Sequence, residues 1–274
     1  MRIHHLDCAT MCPRGAALLF GTHPPHLRHL VAHCLLIELP QDGLLLVDTG
    51  LGLQDVRRPK HLARPFRALG RPRLDEAQCA IRQVEALGFA AKDVRHIALT
   101  HLDVDHAGGL PDFPWARIHV LDRELAATQS TELRMRLRYH PHLWAHGPAW
   151  SHGVAGEPWY GFEGVRRLEG LPPEVLLVPL HGHTSGHAGV AVAQGGGGWL
   201  LHAGDAYFHR GEIYAGEPPC PAAWRAFQRL VQVDGPLRLQ NQARLRELAA
   251  THDEVRVFCA HDAVELAQLR AARA

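Results

Sequence analysis

Residues 100–109 read Thr-His-Leu-Asp-Val-Asp-His-Ala-Gly-Gly, and this stretch decides how the rest of the chain is interpreted. It follows a short apolar run at 95–100 that the pattern predicts as a strand. Histidine and aspartate are common metal ligands, and a loop at a strand end presents such side chains at fixed geometry. The four His and Asp residues of this loop therefore indicate a metal site where a strand ends.

Three further segments place the same kinds of side chain after a predicted strand. They are 181–187 (HGHTSGH), 202–206 (HAGDA) and 259–262 (CAHD). Any one of them alone is ordinary, because a single strand-end His or Asp more often caps a turn or satisfies the core. Together with 100–109 they indicate that several strands bring ligands to one sheet edge.

Strands and helices alternate along the chain, and no linker divides it, which predicts a single α/β domain over 1–274. We predict strands at 31–39, 44–47, 95–100, 118–121, 175–180, 187–193, 199–202 and 255–259. A turn at 40–43 joins the first two. We predict helices at 75–87, 122–129, 222–233, 237–250 and from 263 onward. The segment at about 131–164 is rich in His, Trp, Pro and Gly and is expected to be an irregular insertion.

The amino-acid composition excludes several classes of protein. The chain has 274 residues, a net charge of +1, 46% hydrophobic residues and 22 histidines. Balanced charge argues against a dedicated nucleic-acid or membrane-surface protein, and the six cysteines do not form a disulfide scaffold. We find neither a secretory signal nor an apolar stretch of the roughly 18 residues that a membrane span needs. We therefore expect a cytoplasmic protein with a small-molecule partner and no nucleic-acid or membrane partner. The oligomeric state stays open.

The four segments, together with Asp48-Thr49-Gly50, resemble the metallo-β-lactamase superfamily. Its signature is HxHxDH, then Gly-His, then Gly-Asp, then a late His, and the resemblance runs from about residue 30 to 262. It implies an αββα four-layer sandwich with the metal site at one edge, between two sheets. Within the superfamily, HLDVDHAGGL and the overall length are most similar to the acyl-homoserine lactone lactonases.

The resemblance also implies a ligand set. One metal would be held by His101, His183 and a bridging Asp205. The other would be held by Asp105, His106, His261 and the same Asp205. Asp48 would accept hydrogen bonds that hold the ligand loop. We interpret three other histidines near these motifs as structural rather than ligating: His181, His187 and His202.

The sequence departs from the family pattern at Asp103, where a His is expected. An aspartate can still ligate, and a third carboxylate makes the centre more neutral, which favours Mn or Fe over Zn more than the His version does. The shorter Asp could instead leave the first site weak or empty. We predict two divalent ions, with Zn first and Mn or Fe as alternatives, and keep Asp103 as a ligand.

The implied function is a metal-dependent hydrolase in which a metal-bridging hydroxide attacks a lactone or other carboxylic ester. Asp105 would shuttle the proton as well as ligate. Tyr207 would donate a hydrogen bond to the oxyanion or leaving group, although the corresponding lactonase tyrosine lies one residue further along; a core tyrosine is the alternative. Thioesterase activity resembling glyoxalase II, phosphodiesterase activity and a non-catalytic binding role also remain open.

Three other features are open to two interpretations. The basic segment 56–74 is a solvated loop or short broken helix, or else a gate for an anionic substrate or a partner surface. The aromatic residues of 131–164 line a substrate lid, or pack as a small core of their own. Cys8 and Cys12 are inert thiols, or a redox pair without the structural context that such a pair needs.

Overall fold

The computed structural model describes residues 1–21, 23–40 and 43–272. Their strands are β1 (Arg2–Asp7), β2 (His33–Glu38), β3 (Leu44–Val47), β4 (Val94–Ala98), β5 (Arg117–His119), β6 (Ala149–Ser151), β7 (Val154–Ala155), β8 (Arg166–Arg167), β9 (Val175–Pro179), β10 (Ala188–Ala193), β11 (Trp199–His202) and β12 (Val255–Phe258). The helices are α1 (Ala16–Phe20), α2 (Leu53–Arg57), α3 (Arg64–Leu69), α4 (Ala80–Ala86), α5 (Val104–Ala107), α6 (Asp122–Ala127), α7 (Leu133–Arg138), α8 (Ala222–Val231), α9 (Gly235–Thr251) and α10 (Ala263–Ala271).

The strands of the described residues form two six-stranded sheets. The first has the order β1-β2-β3-β4-β5-β6, antiparallel from β1 to β3 and parallel from β3 to β6. The second has the order β12-β11-β10-β9-β8-β7, and only its β11–β12 pair is parallel. As a result, β3 and β4 of the first sheet are parallel to each other. In the second sheet, β9, β11 and β12 likewise share one direction. Each group can therefore deliver its strand ends to one edge.

The two sheets pack face to face because their central strands are apolar on both sides. In β3, Leu45 and Val47 lie in the core between the sheets, together with Leu177 and Val190 of the second sheet. The alternate residues, such as Leu46, belong to a second core on the outer face of the first sheet. The outer face of the second sheet is covered by α9. This arrangement is the predicted four-layer sandwich.

Most of the predicted elements are present within a few residues of their expected bounds. The antiparallel hairpin of β2 and β3 is confirmed, although Gln41 and Asp42 of its predicted turn lie outside the described residues. Strand β1 was not predicted; it pairs along its whole length with β2. Its alternation of burial breaks at His5 and Leu6, which are both buried, and the polar His4 and His5 leave it without an apolar run, so the strand signal is weak.

The expectation that 131–164 is an irregular insertion with little regular structure is wrong. This segment contains α7, the sheet-edge strand β6 and the short strand β7. Strand β6 completes the first sheet next to β5, and β7 pairs with β8 at the edge of the second sheet. Clusters of Pro and Gly separate these short elements, so no long periodic pattern reveals them.

No helix of the described residues is long and apolar enough to cross a membrane.

We expect Leu45→Ala to lower the free energy of unfolding by about 3 kcal/mol, because a fully buried leucine loses its packing and leaves a cavity. Urea unfolding of the metal-free protein measures the change. Leu18→Ala is the matched control, since Leu18 is 75% exposed in α1 and should cost little. Equal losses for the two variants would contradict the inner position of Leu45.

Candidate metal centre

The predicted ligand residues meet at one edge of the sandwich. His101 and the short helix α5 follow β4 in the first sheet, whereas the other ligands follow strands of the second sheet. Those are His183 after β9, Asp205 after β11 and His261 after β12. Two backbone hydrogen bonds join the sheets here: Ala188 N donates to Thr100 O, and His33 N donates to Ala260 O, each at 2.9 Å.

The carboxylate of Asp205 lies at the middle of the group. Its Oδ1 is 3.1 Å from His261 Nε2 and 3.3 Å from His106 Nε2. Its Oδ2 is 3.3 Å from His183 Nε2 and 3.9 Å from His101 Nε2. One carboxylate therefore separates two sets of ligand atoms. We call the set of His101, His183 and Asp205 the first position, and the set of Asp105, His106 and His261, next to the same Asp205, the second position.

The residues fit a pair of divalent cations. Within each set, the ligand atoms lie within 4.8 Å of one another. The Nε2 atoms of His101 and His106 and the Oδ1 atom of Asp205 are buried and have no hydrogen-bond partner in the described part of the chain. Buried polar atoms are ordinarily satisfied, so atoms without a partner that converge on one point indicate a cation between them.

In two of the imidazoles, a hydrogen bond from Nδ1 sets the orientation of the ring. His106 Nδ1 donates to Asp48 Oδ2 at 2.8 Å, and His261 Nδ1 donates to the Val31 carbonyl at 2.8 Å. With the proton on Nδ1, the Nε2 of each ring presents its lone pair to the centre, as a metal ligand requires. Asp48 also accepts from the amide and the hydroxyl of Thr100, each at 2.8 Å, and so holds the ligand loop as expected.

The charges of the site favour a bound cation. Burial by itself would lower the pKa of His106, but the carboxylates of Asp205 and Asp48 outweigh it and raise that pKa well above its usual value. Burial would likewise lower the pKa of His261, and Asp205 raises it. Burial opposes ionisation of Asp205, yet the neighbouring histidines, His261 foremost, hold its pKa well below the usual range. The carboxylates of Asp48 and Asp205 therefore stabilise positive charge at the second position.

Asp103 is close to the first position but is bound by an arginine. Its Oδ2 lies 3.3 Å from His101 Nε2 and 3.2 Å from His183 Nε2. Arg138 Nε donates to Asp103 Oδ1 at 2.6 Å, and Arg138 Nη2 donates to Asp103 Oδ2 at 2.5 Å. Burial opposes ionisation of Asp103, but Arg138 lowers its pKa well below the usual range. Ligation by Asp103 stays a prediction, and its charge is already balanced by Arg138.

Arg138 also affects His183. Its Nη2 donates to His183 Nε2 at 2.7 Å, the nitrogen that belongs to the first position. Burial lowers the pKa of His183 to about 4, and the charge of Arg138 acts in the same direction. The imidazole is therefore neutral near pH 7. No pattern in the sequence pointed to Arg138, because it comes from the segment that was expected to be irregular.

Glu124 of α6 is a second residue that the sequence did not reveal. Its buried carboxylate accepts four hydrogen bonds: from Leu102 N (3.0 Å), Tyr139 Oη (3.1 Å), Thr184 Oγ1 (2.7 Å) and Gly186 N (3.0 Å). Glu124 thus connects the loop after β4 to the loop after β9 and to Tyr139, the residue next to Arg138. Within the helix pattern of 122–129, Glu124 had no feature that distinguished it from a solvent-facing acid.

The structure does not bring Tyr207 to the centre. Its hydroxyl donates to Glu265 Oε1 at 2.9 Å inside the core under α9, and burial raises its pKa well above the usual value. A role as hydrogen-bond donor to the substrate is therefore not supported by its position, and the alternative of a core tyrosine describes what is found. The ring against the centre is Phe208, whose centroid lies 5.0 Å from His261 and 6.0 Å from His183. It carries no hydroxyl.

The other predicted histidines have structural partners. His187 Nδ1 donates to the Leu180 carbonyl, and its Nε2 accepts from Asp205 N at 2.9 Å, so this ring positions Asp205 rather than facing the centre. His202 Nε2 donates to the carbonyl of His33, and His181 Nδ1 donates to that of His187. These placements agree with the expected structural roles.

A third group of buried side chains, His23, His209 and Asp262, also has the composition of a metal site. Here Arg210 Nη1 lies 3.3 Å from both His23 Nε2 and Asp262 Oδ2 and supplies the positive charge. His209 Nδ1 accepts from Gly211 N at 3.0 Å, so its other nitrogen carries the proton and has no lone pair for a metal. Arg210 thus balances the charge of Asp262 in this group.

The remaining open features also have structural positions. The basic segment forms the broken helix that was one expectation: α2, a 3-10 turn at Pro59–His61 and α3. Its role as a gate stays a hypothesis. The aromatic residues of 131–164 pack, but into the outer cores of the two sheets and not into a small core of their own: Trp159 lies under α9, and Trp144 and Trp150 lie against the first sheet. All six cysteines are free.

The sequence and the fold have recognisable relatives. A model of the metallo-β-lactamase superfamily matches residues 27–261. A probable metallo-hydrolase of Mycobacterium tuberculosis is 44% identical over 265 residues, which are 96% of this chain and 80% of that protein. An N-acyl homoserine lactonase of Bacillus cereus is 25% identical over 244 residues, covering 87% of this chain and 84% of the relative.

A solved structure gives the same result for the fold. The crystal structure of a mutant of AiiA from B. thuringiensis, with N-decanoyl-L-homoserine bound at the active site, matches with a TM-score of 0.68. The match covers 97% of this chain and 95% of that chain, at 22% identity. The predicted resemblance and the predicted fold class are confirmed.

Asp48→Asn tests the support of the second position. Asp48 has φ of 53°, a left-handed conformation that asparagine tolerates, so the substitution removes charge with little backbone strain. Because His106 loses its anionic partner, we expect the zinc affinity of the second position to fall by about ten- to a hundredfold. Titration of metal-free protein against a chromogenic chelator measures this, with the exposed Asp253→Asn as control. Unchanged affinity in Asp48→Asn would contradict the assigned role.

Glu124→Gln tests the tie between the ligand loops. An amide nitrogen cannot accept hydrogen bonds, so the contacts of one carboxylate oxygen are lost in the interior. We expect the free energy of unfolding of the metal-free protein to fall by about 2–4 kcal/mol. The same change at exposed Glu163 is the control and should have little effect. If urea unfolding finds the two variants equally stable, Glu124 does not hold the loops together.

Proposed function

This chain belongs to the metallo-β-lactamase superfamily as a metallo-hydrolase, and we propose that it hydrolyses a lactone or another carboxylic ester at a centre of two divalent metal ions. The observation that carries the proposal is the pair of His and Asp ligand sets that meet at Asp205. The lactonase relatives favour the ester class, since they share the fold over most of their length.

The first position would take its ion from His101, His183 and Asp205, with Asp103 as a further proposed ligand. The second would take its ion from Asp105, His106, His261 and the shared Asp205. Mixed nitrogen and oxygen ligands suit Zn²⁺, and also Mn²⁺ or Fe²⁺. When bound, such ions make hydroxide available near neutral pH and stabilise the oxyanion of ester hydrolysis.

The residues of this chain contribute positioning and proton transfer. Asp205 fixes the distance between the two positions, and His187 fixes Asp205 through its backbone amide. The side chain of Asp105 is 14% exposed, against 4% or less for Asp205 and the four ligand histidines, so its carboxylate has the better access to solvent. We propose that this carboxylate passes on the proton released during hydrolysis. Phe208 would present an apolar ring to the substrate beside the ligands.

No nucleophilic side chain is needed for this chemistry. The two ligand sets of the described residues contain no cysteine, and five of the six cysteines are buried. Burial raises the pKa of Cys259, the thiol nearest His261 in sequence, well above its usual value, which keeps it protonated and unreactive. A covalent acyl-enzyme route through a thiolate at this position is therefore disfavoured.

Asp205→Asn tests the proposal in a substrate panel of short- and long-chain N-acyl homoserine lactones, a simple γ-lactone, a nitrophenyl ester, a thioester and a phosphodiester. We expect the wild type to hold about two metal equivalents and to hydrolyse a lactone or ester. The variant should lose about a hundredfold or more of that activity, together with bound metal, because both positions share this carboxylate. Elemental analysis and initial rates are the measurements.

Asp253→Asn on the surface is the matched control and should leave activity and metal content unchanged. Turnover of the thioester or phosphodiester alone would replace the proposed substrate class. A protein that binds two metals and hydrolyses nothing in the panel would contradict the hydrolase proposal and favour a binding role.

A further inference from the structure

We propose that Arg138 competes with a metal ion for the first position, so that the two positions of the centre bind metal with different affinities. A metal ion then enters the first position only when the guanidinium of Arg138 leaves His183. The inference rests on the metal centre of the proposed function, and it does not depend on the substrate.

The guanidinium is held on every side. Nε and Nη2 bind both oxygens of Asp103 at 2.6 and 2.5 Å, and Nη1 donates to the Val231 carbonyl at 2.7 Å and to the His183 carbonyl at 3.3 Å. The side chain is only 12% exposed. Two parallel hydrogen bonds to one carboxylate are the strong, planar pairing that arginine makes in protein interiors. Arg138 is thus held firmly in place beside the first position by its hydrogen bonds.

Its contact with His183 is incompatible with metal binding there. Nη2 donates to His183 Nε2 at 2.7 Å, and that nitrogen has a single lone pair. The lone pair either accepts this hydrogen bond or binds a metal ion, so the two states exclude each other. In addition, the guanidinium brings a positive charge next to the atoms that would hold a dication, and like charges at such distances repel strongly where water is excluded.

The second position has no corresponding cation. Within the described residues, no arginine or lysine forms a hydrogen bond or ion pair with Asp105, His106 or His261. The polar side chains that these three contact include Asp48, Thr100, Asp205 and one another. A metal ion can bind there without displacing a side chain. The same reasoning applies to the cluster of His23 and Asp262, where Arg210 stands in the place of a metal.

The opposite role for Arg138 makes the opposite prediction. If Arg138 served chiefly to hold Asp103 in position as a metal ligand, its removal would weaken metal binding at the first position. If it competes, its removal frees both Asp103 and His183 Nε2 and strengthens binding. The sign of the change in affinity therefore distinguishes the two roles.

The experiment titrates metal-free full-length protein with Zn²⁺ against a chromogenic chelator, for the wild type and Arg138→Gln. We expect two classes of site in the wild type, one clearly weaker. In Arg138→Gln the weaker class should gain roughly tenfold or more in affinity, while the stronger class stays unchanged. Arg134→Gln is the matched control: it removes the same charge one turn earlier in α7, where the guanidinium donates to the carbonyls of Leu230 and Gln232.

Weaker or absent binding of the second equivalent in Arg138→Gln, with the fold retained by circular dichroism, would overturn the proposal. Two sites of equal affinity in the wild type would also overturn it, while leaving the hydrolase proposal intact. Absence of any bound Zn²⁺ in the wild type would contradict both proposals. If Arg138→Gln fails to fold, Arg138→Met decides: it removes both the charge and the donors to His183, so an unchanged weak site in that variant would contradict the competition.

Discussion

The carboxylate of Asp205 is the group on which this end of the fold depends. It is buried, and four imidazole nitrogens lie within 3.1 to 3.9 Å of it. Two of these rings belong to the first sheet and two to the second. A buried carboxylate is costly unless it is paired, so the two sheets must meet at this edge for the charge of Asp205 to be compensated. The same requirement produces the two ligand sets.

Two further buried carboxylates hold the surrounding loops around Asp205. Asp48 orients His106 and Thr100 from the end of β3, and Glu124 joins the loops after β4 and β9 from α6. Both are acceptors for backbone amides that have no partner within a strand or helix. The loops of the centre are therefore irregular in backbone yet held by buried carboxylate acceptors, which favours a rigid set of ligands.

The charge of the first position distinguishes this chain from the signature of its family. Asp103 stands where a neutral histidine is expected, and Arg138 returns the local charge to that of a neutral ligand. The pair thus preserves the charge balance while changing which atoms are free. It also links the centre to α7, a helix in the segment that the sequence marked only as unusual. That link is the structural reason for treating the two metal positions as unequal.

The sequence alone predicted the fold class, most elements to within a few residues and the strand-end segments that carry the candidate ligands, because strand periodicity and strand-end motifs are local properties of the chain. Only the tertiary structure decided the rest. Arg138 reaches Asp103 and His183 across 35 and 45 residues, and Glu124 reaches Thr184 across 60. Whether Tyr207 or Phe208 faces the centre likewise depends on how one turn is packed. Such contacts are set by the docking of separate segments, and hydrogen bonds between distant residues leave no periodic trace in the sequence.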